Sequence, residues 1–345
     1  MAFFYDIITI GSATRDAVAK SKSFAVVKNK GRGLEESLAL PLGSKISIDS
    51  LFFGTGGAGT NTAVTFARQQ FKTAAIAHIG KDIRGQEVKN ELKSEGVDIH
   101  LITADPSLLT GYSIILEPPS GERVILRHRG ANDGLRGSQI PFSRIRTRWL
   151  YLTSLSGDIS ILKGAFRLKK KYGTCIAWNP GGVDLALGLK KLSPFLSMID
   201  VFIVNQEEAA TLLGIPYRNI EKIFKKFDHV IDGIAVMTMG PKGVYVSDGD
   251  TLWRAGTYKE KAVVDRTGAG DSFGSGFVAG LMRKKKKKEK RWTDESILYA
   301  LRMGSANATS KVEHTGAKTG LLAKRQFESE KRWKTLPFSA TKIKK

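Results

Sequence analysis

Short apolar runs alternate with longer amphipathic stretches along the whole of this chain, and that alternation narrows its fold more than any other feature. Residues 7–10, 73–79, 149–153, 174–178, 201–204 and 233–237 read as strands, most of them apolar enough to be buried on both faces. Residues 61–70, 85–95 and 207–213 carry the longer helical patterns between them. Strands and helices in strict turn predict an α/β fold with a mostly parallel central sheet covered by helices on both faces. A chain of 345 residues that is 41% hydrophobic can bury one large core of this kind or two modest ones. No repeat or linker marks a second independent domain.

Two segments break the rhythm. Residues 45–53 and 111–117 alternate apolar with polar side chains, and residues 124–129 follow the second across the turn Pro118-Pro119-Ser120-Gly121. They are expected as antiparallel strands outside the main sheet.

The chemistry concentrates in Val263-Val264-Asp265-Arg266-Thr267-Gly268-Ala269-Gly270-Asp271, which runs into the small apolar stretch 272–281. The two β-branched residues read as a strand end, and the stretch after Asp271 reads as a buried helix. A Gly-Ala-Gly turn lets backbone N–H groups approach a ligand closely. At a helix N-terminus those groups and the helix dipole both favour phosphate. A carboxylate inside such a site repels phosphate, so Asp271 makes chemical sense as the base that takes a proton from a hydroxyl about to attack one. The plainer alternative is a helix N-cap that stabilises the dipole.

Several other loops sit at strand-to-helix junctions. Gly54-Thr55-Gly56-Gly57-Ala58-Gly59-Thr60-Asn61 opens a helix, but its glycines do not follow a first strand as those of a G-x-G-x-x-G dinucleotide cradle do, and no acidic residue closes a plausible βαβ unit around them. Asn205-Gln206-Glu207-Glu208 follows the apolar run 201–204, and Thr238-Met239-Gly240-Pro241-Lys242-Gly243 follows the run 233–237. Asp16 lies in the loop expected after the first strand.

Taken in order, these stretches resemble the ribokinase-like (PfkB) carbohydrate kinases. Residues 265–271 look like the D-x-T-G-A-G-D signature of that family, and Gly56, Gly57 and Asn61 match its G-G-x-x-x-N loop. Asn205 and Glu208 match its N-x-x-E motif, and Thr238, Gly240 and Gly243 its T-x-G-x-x-G nucleotide loop. Residues 304–310 and 315–317 resemble the wall of its purine pocket, with Asn307 placed to hydrogen-bond the base.

The resemblance implies an ATP-dependent kinase of a sugar or nucleoside hydroxyl, with the alternating strands forming a small β lid over the acceptor. Asp271 is then the general base, and the backbone of Gly268, Ala269, Gly270 and Asp271 the anion hole. Asp16, Gly56, Gly57 and Asn61 hold the acceptor, while Asn205, Thr238, Gly240, Gly243 and Asn307 hold the nucleotide. Mg²⁺ is carried through water by Asn205 and Glu208, whose residue types suit a hard, hydrated ion. The spacing of those two equally describes a capping box. Asp265 and Thr267 are implied as ligands of a monovalent cation, K⁺ in many members. The kinase domain is expected over 1–336, with lid segments at about 20–55 and 110–130, and a basic tail over 337–345. A homodimer through the lid is the assembly the resemblance suggests. One departure bears on the acceptor: Ala58 stands where ribokinases carry Lys, which weakens ribose as the default substrate.

Charge is the unusual part of the composition, with 55 basic against 33 acidic residues for a net +22. Such a field attracts ATP, phosphorylated metabolites and nucleic acid alike. Much of it falls in one block, residues 283–291, where no aromatic side chains interleave to stack on bases, so a solvated loop is favoured over a nucleic-acid surface. A nucleotide- or nucleic-acid-binding regulator built on an inactive kinase scaffold is the rival reading, and the intact Asp271 speaks against it. The single cysteine, Cys175, excludes an internal disulfide, and no signal pattern or run of about 20 apolar residues is present, so a cytoplasmic, membrane-free protein is expected. The five histidines are scattered singly and read as structural or surface residues, with His128 in the lid and His314 beside the purine wall.

Overall fold

The structure is a computed structural model that describes residues 3–29, 36–120, 122–284 and 292–343. Its centre is a nine-stranded sheet. Six strands are parallel: β1 (Phe3–Ile10), β6 (Thr73–Ile76), β11 (Ile145–Leu152), β12 (Cys175–Trp178), β13 (Val201–Asn205) and β14 (Ile234–Thr238). Three antiparallel strands extend one edge: β15 (Val244–Ser247), β16 (Thr251–Ala255) and β17 (Phe338–Lys342). The spatial order is β6-β1-β11-β12-β13-β14-β15-β16-β17.

Strand parity explains how the sheet holds helices on both faces. Ile8, Ile10, Leu150, Leu152, Phe202, Val204, Ala235 and Met237 point to one core. There they meet residues of α3 (Ile159–Tyr172), α5 (Leu189–Leu196), α6 (Gln206–Leu213) and α7 (Ile220–Val230), while the short α4 (Gly182–Leu185) adds Leu185. The residues in between, Ile7, Trp149, Tyr151, Val201, Ile203, Ile234 and Val236, point to the opposite core, under α8 (Ala269–Lys284) and α9 (Asp294–Val312). Phe66 of α1 (Ala58–Arg68) and Phe327 of α10 (Lys324–Ser329) join the second core. Because alternate side chains leave opposite faces of a strand, an unbroken apolar run is what a doubly covered sheet requires.

A second sheet of four strands stands apart in the order β10-β9-β2-β5, formed by β2 (Thr14–Lys20), β5 (Ser50–Gly56), β9 (Gly111–Glu117) and β10 (Val124–His128). The hairpin β3 (Ala25–Lys28) with β4 (Glu36–Ala39) forms its own pair, as do β7 (His78–Gly80) and β8 (Thr103–Asp105) beside α2 (Ile83–Ser94).

Five expectations change here. The lid begins at Thr14, so Asp16 is a strand residue and not a loop residue. The alternating run 45–53 is strand only from Ser50 onward, and the run 73–79 splits at Ala77 into β6 and β7. Val263 and Val264 belong to no strand; the Val264 N–H donates to the Val312 carbonyl, and Val263 is half exposed. Residues 338–342 of the expected tail close the sheet edge by pairing with β16, and they show no periodicity because every one of them is exposed. Of the basic block, residues 285–291 lie outside the described residues. Arg283 and Lys284 end α8, where Arg283 donates to the Gln69 carbonyl at 2.6 Å and Lys284 pairs with Glu295 at 2.8 Å.

Candidate active site

Chain direction sets the position of the site. β1 has its successor β6 on one side and β11 on the other, so the crossovers leave in opposite directions and open a crevice beyond its C-terminal end. The lid strand β2 starts there, after Gly11-Ser12-Ala13, and α1 begins beside it. Gly59 N–H donates to the Ser12 carbonyl at 3.0 Å and Thr9 Oγ1 to the Gly59 carbonyl at 2.9 Å, which fixes the Gly-rich turn against the strand end.

Asp16 is 8% exposed and lies one strand away from that turn. Its Oδ1 accepts from Thr14 Oγ1 at 2.8 Å. Burial pushes its carboxyl above the ordinary range, against the pull of the Thr14 and Ser113 hydroxyls and the charges of Lys318 and Arg15. A Cβ at position 56 would sit 1.9 Å from Asp16 Oδ2, so only Gly56 leaves the carboxylate room beside β5.

Asn61, in the second turn of α1, links this side to the helix that carries Asp271. Its Nδ2 donates to Asp271 Oδ2 at 2.9 Å, and its Oδ1 is buried with no donor. A buried acceptor without a partner costs free energy unless something supplies a donor. Asp271 is partly open at the first turn of α8. Burial of its carboxyl raises its proton affinity, opposed by the Asn61 amide and the Lys318 ammonium. The Tyr151 hydroxyl, fully buried beneath it, is pushed up by burial and by the Asp271 charge.

Gly268 makes the turn before α8 at φ +75°, with a would-be Cβ 3.1 Å from the Ala317 carbonyl oxygen, so both conformation and space call for glycine. Among the expected anion-hole donors, the Ala269 N–H turns back to the Arg266 carbonyl at 3.2 Å. Of the rest, the N–H groups of Gly270 and Asp271 stand in the first turn of α8 with the helix dipole behind them.

A cleft of about 250 Å³ opens from Ala269 and Gly270 and brings in Thr238, Gly240 and Gly243 on one side and Ser305, Ala308 and Thr309 on the other. Asn205 is the register partner of Thr238 across β13 and β14. Asn205 and Glu208 form a reciprocal capping box: Asn205 Oδ1 accepts from Glu208 N, and Glu208 Oε2 from Asn205 N, both at 2.8 Å. The cap leaves the second carboxylate oxygen of Glu208 open, so the pair fits a metal-bound water. Burial and the neighbouring Glu207 charge raise the Glu208 carboxyl, countered by its bond to Asn205 N–H.

Two expected roles do not fit. Asn307 has no exposed surface: its Nδ2 donates to the Ser272 carbonyl at 2.8 Å and to Thr65 Oγ1 at 3.3 Å, and its Oδ1 accepts from Leu322 N at 2.8 Å. It ties α9 to α8 and α1 and has nothing left for a base. The Asp265 end of the expected cation pair is taken, because the Lys311 ammonium already lies on the Asp265 oxygens, while Thr267 Oγ1 is buried with no hydrogen-bond partner. The histidines are structural or exposed as expected: His78 bonds Thr103 Oγ1, His314 bonds the Ser310 carbonyl, and His128 faces outward on β10.

The structure adds Lys318, which is 4% exposed. Its Nζ donates to Thr55 Oγ1 and lies 3.7 Å from Glu91 Oε1, within electrostatic reach of both Asp16 and Asp271. It brings a positive charge to the acceptor side from a different loop than the one where Ala58 stands, but that charge is spent on Thr55 and Glu91.

A parallel sheet with this crevice, a separate four-stranded sheet and a carboxylate at the N-terminus of a Gly-rich helix make up the architecture of the ribokinase fold. The pfkB family carbohydrate kinase model matches residues 6–324, and the chain belongs to that family. It is 30% identical over 277 residues to the ribokinase of Haemophilus influenzae, covering 79% of this chain and 85% of that one. It is 25% identical over 276 residues to a nucleoside kinase of Methanothermobacter thermautotrophicus, covering 77% and 81%. Among solved structures, the ribokinase of Giardia lamblia superposes with a TM-score of 0.77 at 21% identity, over 94% of this chain and 97% of that one. No described helix is long and apolar enough to cross a membrane.

Proposed function

We propose that this protein transfers the γ-phosphoryl group of ATP to a hydroxyl of a sugar or nucleoside. The observation that carries the reading is the Asn61–Asp271 pair, in which a buried amide holds the carboxylate at 2.9 Å and keeps one acceptor atom, Asn61 Oδ1, unpartnered. An acceptor hydroxyl donating to Asn61 Oδ1 or Asp16 supplies the donor that the pair lacks. Asp271 takes the proton of the attacking hydroxyl, and the N–H groups of Gly270 and Asp271 receive the charge that builds on the transferring group. Phosphoryl transfer is governed by positioning and charge stabilisation, which this geometry favours. Thr238, Gly240 and Gly243 line the nucleotide side, and Asn205 with Glu208 would hold Mg²⁺ through its water, where the ion offsets phosphate charge. The family, the relatives acting on ribose or nucleosides and the intact Asp271 favour a kinase over an inactive nucleic-acid-binding scaffold.

Among the described residues, Ala58 offers no ammonium to the acceptor side and Lys318 is committed to Thr55 and Glu91. A nucleoside or larger polyol should therefore show a higher kcat/KM than ribose in a coupled ADP-release assay across sugars and nucleosides. Ribose as the best acceptor would refute that preference.

The lid also exposes apolar side chains, with Leu51 52%, Phe53 50% and Leu126 52% accessible. Clusters of this kind mark association surfaces. Light scattering should give twice the monomer mass, and Phe53→Lys should return it to the monomer value. A wild-type monomer at assay concentration would count against a lid dimer.

A further inference from the structure

Lys311 is a lysine with no exposed surface, one residue before the end of α9. Its Nζ donates to the Asp265 carbonyl at 2.7 Å and to the His314 carbonyl at 3.2 Å, and lies 3.6 Å from Asp265 Oδ2. The Asp265 carboxylate is otherwise engaged, accepting from Thr267 N at 2.7 Å and Gly316 N at 2.9 Å. The N–H groups of Val264 and Asp265 both donate to the Val312 carbonyl, at 2.7 and 3.1 Å. The ammonium therefore lies where residues 264–268, which lead into the anion hole, cross residues 312–316.

Burying a lysine is unfavourable unless its charge and its N–H groups are matched, and here two carbonyls accept from it while the Asp265 carboxylate offsets its charge. Burial lowers the Lys311 pKa to about 8, with Asp265 and Glu117 pulling it up and Arg123 pushing it down, so the group is mostly charged at neutral pH. A diffusible cation bound to the Asp265 carbonyl and carboxylate would occupy the volume of the ammonium and be repelled by it.

We propose that Lys311 is a tethered cation that takes the place of a bound monovalent ion, fixing the Asp265–Gly268 turn so that the anion hole needs no K⁺. The inference rests on the kinase reading for its catalytic consequence, while its structural half stands apart from it. A free ion stabilises a site only in proportion to its concentration over its dissociation constant. A covalently attached ammonium is always present, so neither turnover nor stability should respond to K⁺.

The test replaces K⁺ by tetramethylammonium at constant ionic strength and neutral pH. Wild-type kcat should change by less than about twofold, and its unfolding midpoint should not rise with KCl. Lys311→Met, which keeps the stem and removes the charge, should lower kcat roughly tenfold or more, with partial recovery in KCl or NH₄Cl and an unfolding midpoint that rises with either salt. Wild-type turnover that requires K⁺, or a wild-type midpoint raised by K⁺ beyond tetramethylammonium, overturns the proposal. So does a folded Lys311→Met enzyme with full activity in the absence of K⁺. Should Lys311→Met not fold, the wild-type arms and Lys311→Gln decide. The unfolding measurement needs no acceptor, so a failure of the kinase reading would leave its result legible.

Discussion

Asp271→Asn should lower kcat by roughly 10²-fold or more while leaving the KM for ATP almost unchanged. The amide keeps the shape of the side chain and can still meet Asn61 across the 2.9 Å contact, but it cannot accept the hydroxyl proton. The carboxyl is held above its ordinary range chiefly by burial, and a base must be ionised to act. The acid limb of the wild-type kcat profile should accordingly lie above the usual carboxylate range, with activity falling as pH drops through it. The Asn enzyme should lose that limb from its residual rate. Steady-state kinetics across pH in both proteins reads the two effects together. An Asn enzyme with near wild-type turnover would remove Asp271 from the chemistry.

Asp16→Ala should act on the other substrate. Asp16 is buried, raised in proton affinity by that burial, and placed so that Gly56 alone gives it room. A charged group that hydrogen-bonds an acceptor hydroxyl contributes about 1.5–3 kcal/mol per bond, and two vicinal hydroxyls on one carboxylate double the effect. The expected loss in kcat/KM for the acceptor is about 10²-fold or more, with the KM for ATP unmoved. Thermal unfolding separates this from a folding defect, because removing a carboxylate that burial penalises should not lower the midpoint much. Unchanged acceptor kinetics would show that Asp16 does not face the acceptor.

The doubly covered sheet was legible because its strands are continuous apolar runs, and the start of α8 because Gly268 and Gly270 lead into a run of small apolar residues that suits a buried helix, although Val263 and Val264 ahead of that turn form no strand. The lid hairpin was legible from the alternation over 111–117 and the turn Pro118-Pro119-Ser120-Gly121 that follows it. What escaped were residues whose role depends on partners distant in the chain. Asn307 reads as a polar wall residue until Ser272, Thr65 and Leu322 consume its hydrogen bonds. Lys311 and Lys318 read as two more surface charges in a chain of net charge +22. A signal for Lys311 was nonetheless present: Gly304, Asn307 and Lys311 recur at helical spacing on one face of α9, and all three are buried. A lysine continuing a stripe of small buried residues must find its counter-charge inside. Residues 338–342 had no such signal, since an edge strand exposed along its whole length carries no pattern for burial to impose.

The central claim is that the chain phosphorylates a hydroxyl at the expense of ATP, and acceptor-dependent ADP release measures it most directly. Wild-type protein incubated with ATP, Mg²⁺ and a panel of sugars and nucleosides should release ADP in step with one or more acceptors, with mass spectrometry finding one phosphate added to the same acceptor. Release no higher than without acceptor for every compound, together with tight and salt-sensitive binding of nucleic acid, would contradict it and favour the regulator.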